Sequence, residues 1–276
     1  MQSLNISSSA LRGIQLALDN TANNLANVDT AGYKRRSASF SELLADTVNK
    51  QPDTDTQNRN TPAGLRLGNG AMLGMTKLDM SPGNMKQTDV PTDLMIEGEG
   101  FFLVSKEIRD VNNALIGEEF RFTRDGNFHL EESAYYGGYV LVNATGHMLT
   151  NEIGAPVLIG EEEVNEFAVS SDGFVTVNGN DTFERVGVWK VDNPDQLQQV
   201  GNNLYDAGLA IGQNPADVYV SWTDTGALRQ GALETSNVNM QEEMSQLINI
   251  QRAYQLNSRA IAITDQMMGI ATSIRT

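Results

Sequence analysis

The sequence predicts an α+β protein: paired N- and C-terminal helices, coiled-coil-like, with a central and mostly antiparallel β domain. Three observations carry that reading. Apolar residues recur at a sevenfold step at both ends of the 276-residue chain. Short alternating runs punctuated by glycine turn pairs fill the stretch from about 93 to 234. A polar segment with prolines and glycines separates the first helix from those runs.

The N-terminal element, residues 1–32, has a seam of Leu4, Leu11, Leu18 and Leu25, with Ile14 and Val28 at the intermediate core position. Ser7 and Thr21 occupy the other intermediate slots, so the seam suits an isolated dimer poorly. Packed, the four leucines contribute roughly 6–12 kcal/mol from burial before conformational entropy is subtracted. The helix should stop between Asn27 and Gly32, where turn formers gather. Asn20, Asn23, Asn24 and Asn27 place an amide-rich ladder on it. Pattern alone favours a solvated surface for them; the sharper reading is that uncharged amides, poor in helices, serve contacts between identical subunits.

Residues 33–92 read as an irregular linker or arm. Ser37 to Val48 is compatible with a short helix through Phe40, Leu43, Leu44 and Val48, whereas Gln51 to Gly70 is polar and holds Pro52 and Pro62. Gly68-Asn69-Gly70 lacks the strand before and the lysine and hydroxyl after that a phosphate loop needs, and reads as a turn. Strands are predicted from 93 to 234 at Phe101–Val104, Phe120–Phe122, Tyr139–Val142, Phe167–Val169, Phe174–Val177 and Val186–Val191. Asp125-Gly126, Asp172-Gly173 and Asn178-Gly179 read as hairpin turns. Trp189 and Trp222 read as packing rather than ligand-stacking residues.

The last element, 235–276, has no proline, and Gly269 is its one glycine, so a long helix is permitted. Met240, Leu247, Tyr254, Ile261 and Met268 form one sevenfold row. Leu256, Ile263, Met267, Ile270 and Ile274 fall roughly opposite it. Two apolar sides imply two partners: the N-terminal helix and another molecule. A bland alternative is an amphipathic pair closing an ordinary single domain.

Charge and composition narrow the function. The net charge is −16, from 35 acidic and 19 basic residues, and Lys34-Arg35-Arg36 is the longest basic cluster; nothing points to nucleic acid. With no cysteine and two histidines, cysteine chemistry is excluded and a His-rich zinc site nearly so. No apolar run approaches a transmembrane span, and the amphipathic start lacks the basic and apolar regions of a cleavable signal. Asp125, His129 and Glu131 alternate as a weak proton-relay candidate, better read as the wet face of a strand. Glu161-Glu162-Glu163 reads as a solvated loop. No catalytic, cofactor-binding or metal-ligating residue is assigned.

The stretch Asn23-Asn24-Leu25-Ala26-Asn27-Val28-Asp29-Thr30-Ala31-Gly32-Tyr33-Lys34 closely resembles the N-terminal signature of the bacterial flagellar rod and hook protein family. Asp93 to Phe102 is similar to that family's "D-L-x-I-x-G-x-G-F-F" segment, and Phe122 to Phe128 and Leu233 to Asn239 continue the resemblance. Glu242-Glu243-Met244 and Gln251 to Ser258 complete it. The resemblance spans nearly the whole chain. It implies an axial structural subunit that leaves the cell unfolded through the flagellar type III export apparatus, with no cleavable signal, and joins copies of itself and other rod and hook proteins in a hollow tube. It also implies that the segment after the first helix lies between subunits.

Within the family the C-terminal motif and modest length look most like a distal rod subunit; a proximal rod subunit is the closest rival, and the hook protein is usually larger. The assembly interface is assigned to Leu4, Leu11, Ile14, Leu18, Asn24, Leu25, Asn27 and Val28 at one end, and to Met240, Leu247, Tyr254, Asn257, Ile261 and Met268 at the other. The contrasting class is a monomeric carbohydrate-binding or hydrolytic protein with a helical hairpin as its handle.

Overall fold

The computed structural model describes residues 2–42, 46–48, 65–67, 71–109, 115–133, 135–160, 164, 166–191, 197–206, 208, 220–221 and 226–274. The chain forms two compact units, neither continuous in sequence. One comprises Met1–Ala26, Arg36–Lys77 and Asn239–Thr276; the other comprises Asn27–Arg35 and Leu78–Val238.

In the first unit, helix α1 spans Gln2–Ala26 and helix α2 spans Met240–Ile274, and the two lie against each other. Helix α2 begins where the side chain of Asn239 accepts the Gln241 amide at 3.0 Å and its carbonyl accepts the Glu243 amide. Glu242 and Glu243 then place negative charge at the positive end of the helix dipole. The expected irregular arm holds strands instead: Arg36–Glu42 beside Ala71–Leu78, and Asp46–Val48 antiparallel to Leu65–Leu67. The short helix considered for Ser37 to Val48 is therefore a strand at least to Glu42. Alternation of Ser37, Ser39 and Ser41 with Ala38 and Phe40 is a period of two, which the helical reading overlooked. Gly68-Asn69-Gly70 and most of the polar stretch before it lie outside the described residues.

The second unit is antiparallel throughout its described pairings. Its largest sheet runs in the order Gln198–Gly201, Leu204–Asp206, Leu115–Thr123, Phe101–Arg109, Met148–Leu149, Gly138–Asn143, Phe128–Ser133. Val188–Lys190 also pairs with Phe101–Arg109, so that strand is flanked on both sides. It is buried on both faces as well. Phe102 and Val104 enter one apolar cluster with Leu94, Leu141 and Leu149, while Phe101 and Leu103 enter another with Phe122, Trp189 and Tyr205. This is why Phe101 to Val104 reads as a continuous apolar run rather than an alternating one.

Each predicted strand is present. Asn178-Gly179 makes the expected tight hairpin, both residues having positive φ, between Phe174–Val177 and Asn180–Arg185. Asp125-Gly126 does not: it joins Leu115–Thr123 to Phe128–Ser133, which are not neighbours in the sheet. Gly126 is required there for a different reason. A Cβ at that position would lie 1.6 Å from the Leu94 carbonyl oxygen, against which the backbone packs. Trp189 is fully buried, in keeping with a packing role, and Trp222 lies outside the described residues.

Candidate assembly surface and motif junction

The assigned seam residues divide once placed on the helices. The fully buried face of α1 consists of Gly13, Ala17, Thr21 and Asn24, small or polar residues at helical spacing. Leu11, Ile14, Leu18 and Leu25 flank that face and are partly buried; Leu4 lies on α1. The leucine row is thus the shoulder of the contact and not its centre. Small side chains let helix axes approach closely, and the larger residues then fill the margins.

On α2 the inward face is Leu247, Ile250, Ala253, Asn257, Ile261 and Thr264, all partly buried. Its steps of three and four follow the helix turn, whereas a strict step of seven cuts across it. Met240, Tyr254 and Met268 of the predicted row are exposed, whereas Leu247 and Ile261 of the same row lie inward. The opposite row is open along its described length: Leu256 is 66% exposed, Met267 66%, Ile270 60% and Ile263 57%.

The asparagine ladder is spent within the chain. The Asn24 amide accepts the Arg36 N–H at 3.0 Å and donates to the Arg36 carbonyl at 2.9 Å, acting as one rung of a strand pairing. Asn20 donates to the same carbonyl, and Asn23 donates to Asp19 one turn back. Asn24 is 1% exposed and positions the strand after α1. Asn27 accepts from the Thr30 hydroxyl and, with Val28, belongs to the turn that ends α1.

In the second unit, three of the sequence motifs that carry the family resemblance meet at one buried carboxylate. Glu234 receives Lys34 Nζ on one oxygen at 2.6 Å and Arg124 Nη1 on the other at 3.1 Å. The Gly83 amide also donates to the first oxygen, at 2.8 Å. Lys34 Nζ donates further to the Ser81 carbonyl, and Arg124 Nη2 to the Gly98 carbonyl, both at 2.8 Å. The arginine stacks over Phe101, with 5.5 Å to the ring centroid. Lys34 and Glu234 are 1% and 2% exposed. Burial pushes the Lys34 ammonium below the usual lysine range, an effect that the neighbouring carboxylate offsets in part.

Backbone bonds seal this junction. Gly32 donates to the Glu234 carbonyl at 2.8 Å, Arg35 donates to the Asn237 side chain at 2.7 Å, and Asn237 Nδ2 donates to the Asp79 and Ser81 carbonyls. Gly32 has φ +66°, and a Cβ there would lie 2.6 Å from the Arg124 backbone, so the glycine of the first motif fits against the arginine of another. The sequence reading quoted Lys34, Arg124 and Glu234 in their motifs but assigned them no role. Their signal was one buried-capable acid and two cations, each inside a separate motif otherwise poor in charge.

Asp125 stands in the loop before the strand that carries His129 and Glu131, both of which are exposed. The Asp125 carboxyl, held above the usual aspartate range by burial, accepts the Asn127 amide. Glu161-Glu162-Glu163 lies outside the described residues.

Three family descriptions match this chain, in the order of its elements. "Flagella basal body rod protein" covers residues 4–34, "Flagellar hook protein FlgE/F/G D1 domain" covers 95–177, and "Flagellar basal body rod FlgEFG protein C-terminal" covers 229–274. The flagellar basal-body rod protein FlgG of Borreliella burgdorferi is 33% identical over 281 residues, covering 100% of this chain and 99% of the relative. The chain belongs to the flagellar basal-body rod protein family. FlgG of Buchnera aphidicola subsp. Schizaphis graminum is 35% identical over 96% of both chains, and the flagellar hook-basal body complex protein FlhP of Bacillus subtilis is 32% identical over all of both. This rod-family chain is a structural axial subunit of the flagellar basal body. Each terminal match includes one half of the Lys34–Glu234 pair.

Proposed function

We propose that this rod subunit assembles with copies of itself, and with other rod and hook proteins, into the hollow axial tube that transmits torque for motility. Helices α1 and α2 would act as one coiled-coil-like module, packed around a common axis with neighbouring modules. The observation that carries this reading is the open row Leu256, Ile263, Met267 and Ile270 on α2. Covering four such side chains contributes roughly 6–12 kcal/mol before ordering costs, too much for a chain that works as a monomer to leave wet. Resemblance to the family further supports a distal rod position, an extracytoplasmic site, and export in unfolded form through the flagellar type III apparatus without a cleavable signal. The seam residues Leu11, Leu18, Leu25, Leu247 and Ile261 would serve the helix pair, and Tyr254, Met240 and Met268 would meet neighbours.

Replacement of an outward residue tests this. Ile263→Glu should leave the circular dichroism and melting of the purified monomer nearly unchanged and abolish swimming in a strain that carries it as its sole copy. Normal swimming with Ile263→Glu would count against the packing scheme. Images of basal bodies from a deletion strain test the distal position: a rod that stops short of its distal part is expected, and a complete rod refutes that placement.

A further inference from the structure

We propose that the buried cluster of Lys34, Arg124 and Glu234 is a completion latch, which closes the β unit only after both ends of the chain have arrived. The latch joins residues far apart in sequence: Lys34 and Glu234 are separated by 200 positions, Arg124 and Glu234 by 110. Segment 27–35 meets Glu234 twice, Gly32 at its carbonyl and Lys34 at its carboxylate, beside lesser ties from Asn203 to the Ala31 carbonyl and from Asp79 to the Arg35 carbonyl. Segment 232–238 in turn gains Arg35 and Tyr33 as partners of Asn237. A buried polar network that is half satisfied is worse than an apolar core, so the cluster favours two states, open and wet or closed with every polar group but Arg124 Nε paired.

The order of events follows from delivery of the chain. Whether it emerges from a ribosome or a narrow channel, a polypeptide presented N-terminus first holds Lys34 and Arg124 outside long before Glu234 appears. The centre of the main sheet has nearer partners, as with Phe101–Arg109 against Leu115–Thr123, whereas Leu94–Gly98 waits for Gly226–Gln230. Segments 27–35 and 235–238 are the direct continuations of α1 and α2. Closure therefore fixes the roots of both helices last, once the whole β sequence is out. This device goes beyond the assembly reading, since it concerns the order of folding in a single chain.

Pulse-labelling hydrogen exchange on the full-length chain, refolding from denaturant, tests it. The amides of Gly32, Arg35, Gly83 and Thr235 belong to the latch, and those of Thr150 and Val157 to the sheet around the core. Latch amides are expected to become protected about tenfold or more slowly than the sheet amides. Glu234→Gln should lower latch protection at equilibrium by about tenfold or more while Thr150 and Val157 keep theirs. If Glu234→Gln fails to fold, Lys34→Met, which retains the Arg124–Glu234 pair, should still lose protection selectively at Gly32 and Arg35. Simultaneous protection of latch and sheet during refolding would overturn the proposal, as would an equal loss at both in the variant that folds.

Discussion

At the scale of single residues, close approach and burial decide what each position tolerates. Gly126→Ala should cost about 2–3 kcal/mol or more, because its Cβ would meet the Leu94 carbonyl oxygen, a backbone atom that cannot swing away. Gly179→Ala, with φ +78° and open space around it, should cost about 1–2 kcal/mol from backbone conformation alone. Denaturant midpoints of the two variants separate these causes. His147 sets a pH dependence. Its backbone amide donates to the Asn143 side chain at 2.9 Å, its Nδ1 lies 2.9 Å from the Thr145 hydroxyl, and burial, with Lys106 nearby, pushes its pKa below the usual 6.5. Below pH 6.5 the unfolded chain therefore takes up a proton that the folded chain refuses, so this contribution to stability is complete above 6.5 and is lost as pH falls toward the lowered folded value. Melting curves should show that loss in the parent and a flatter limb in His147→Gln. Asp125 has the opposite sign at lower pH, because its raised pKa favours the folded, protonated form.

At the scale of elements, α1 and α2 depend on different features of their faces. Ala17 sits in the fully buried row of α1, and Ala17→Leu should force the helix outward at a cost of about 1–3 kcal/mol. Leu16 beside it is 53% exposed, and Leu16→Ser should leave the monomer's melting temperature within experimental scatter. Leu11→Glu and Ile261→Glu put a charge at partly buried positions, on the margin of α1 and on the inward face of α2, and should abolish motility while the β unit keeps its fold, read by near-ultraviolet circular dichroism of Trp189. The predicted sevenfold rows fall on both helices, at the margin of the buried face of α1 and on both the inward and the exposed sides of α2. A sevenfold step detects an apolar row, while the face that packs is chosen by how near two backbones approach, and Gly13 and Ala17 permit that approach.

For the whole molecule, charge and chain order are the controlling quantities. A chain of net charge −16 that joins its own kind must bring like charges together, so association of purified subunits should rise with added salt as the screening length falls below about 10 Å. Light scattering across a salt series measures this, and association that weakens with salt would contradict it. Limited proteolysis of the monomer should trim α1 and α2 and leave a core that begins near Asn27 and ends near Val238, since those segments belong to the β unit and the helices do not. The boundaries expected at 32 and 93 follow turn formers and a change of periodicity, and such local signals do not record that a short segment returns to a distant partner.

Local rules were enough to determine much of this protein. Strand periodicity, the Asn178-Gly179 turn, the length of α2 and its two apolar sides all follow from preferences of neighbouring residues, and the quoted motifs pointed to the family. Tertiary structure alone decided that Lys34, Arg124 and Glu234 share one buried site, that Asn24 completes a strand rung, and that Asp125-Gly126 is a crossing rather than a hairpin. Those outcomes depend on which distant backbone comes within bonding distance, and one-dimensional spacing carries no measure of that distance.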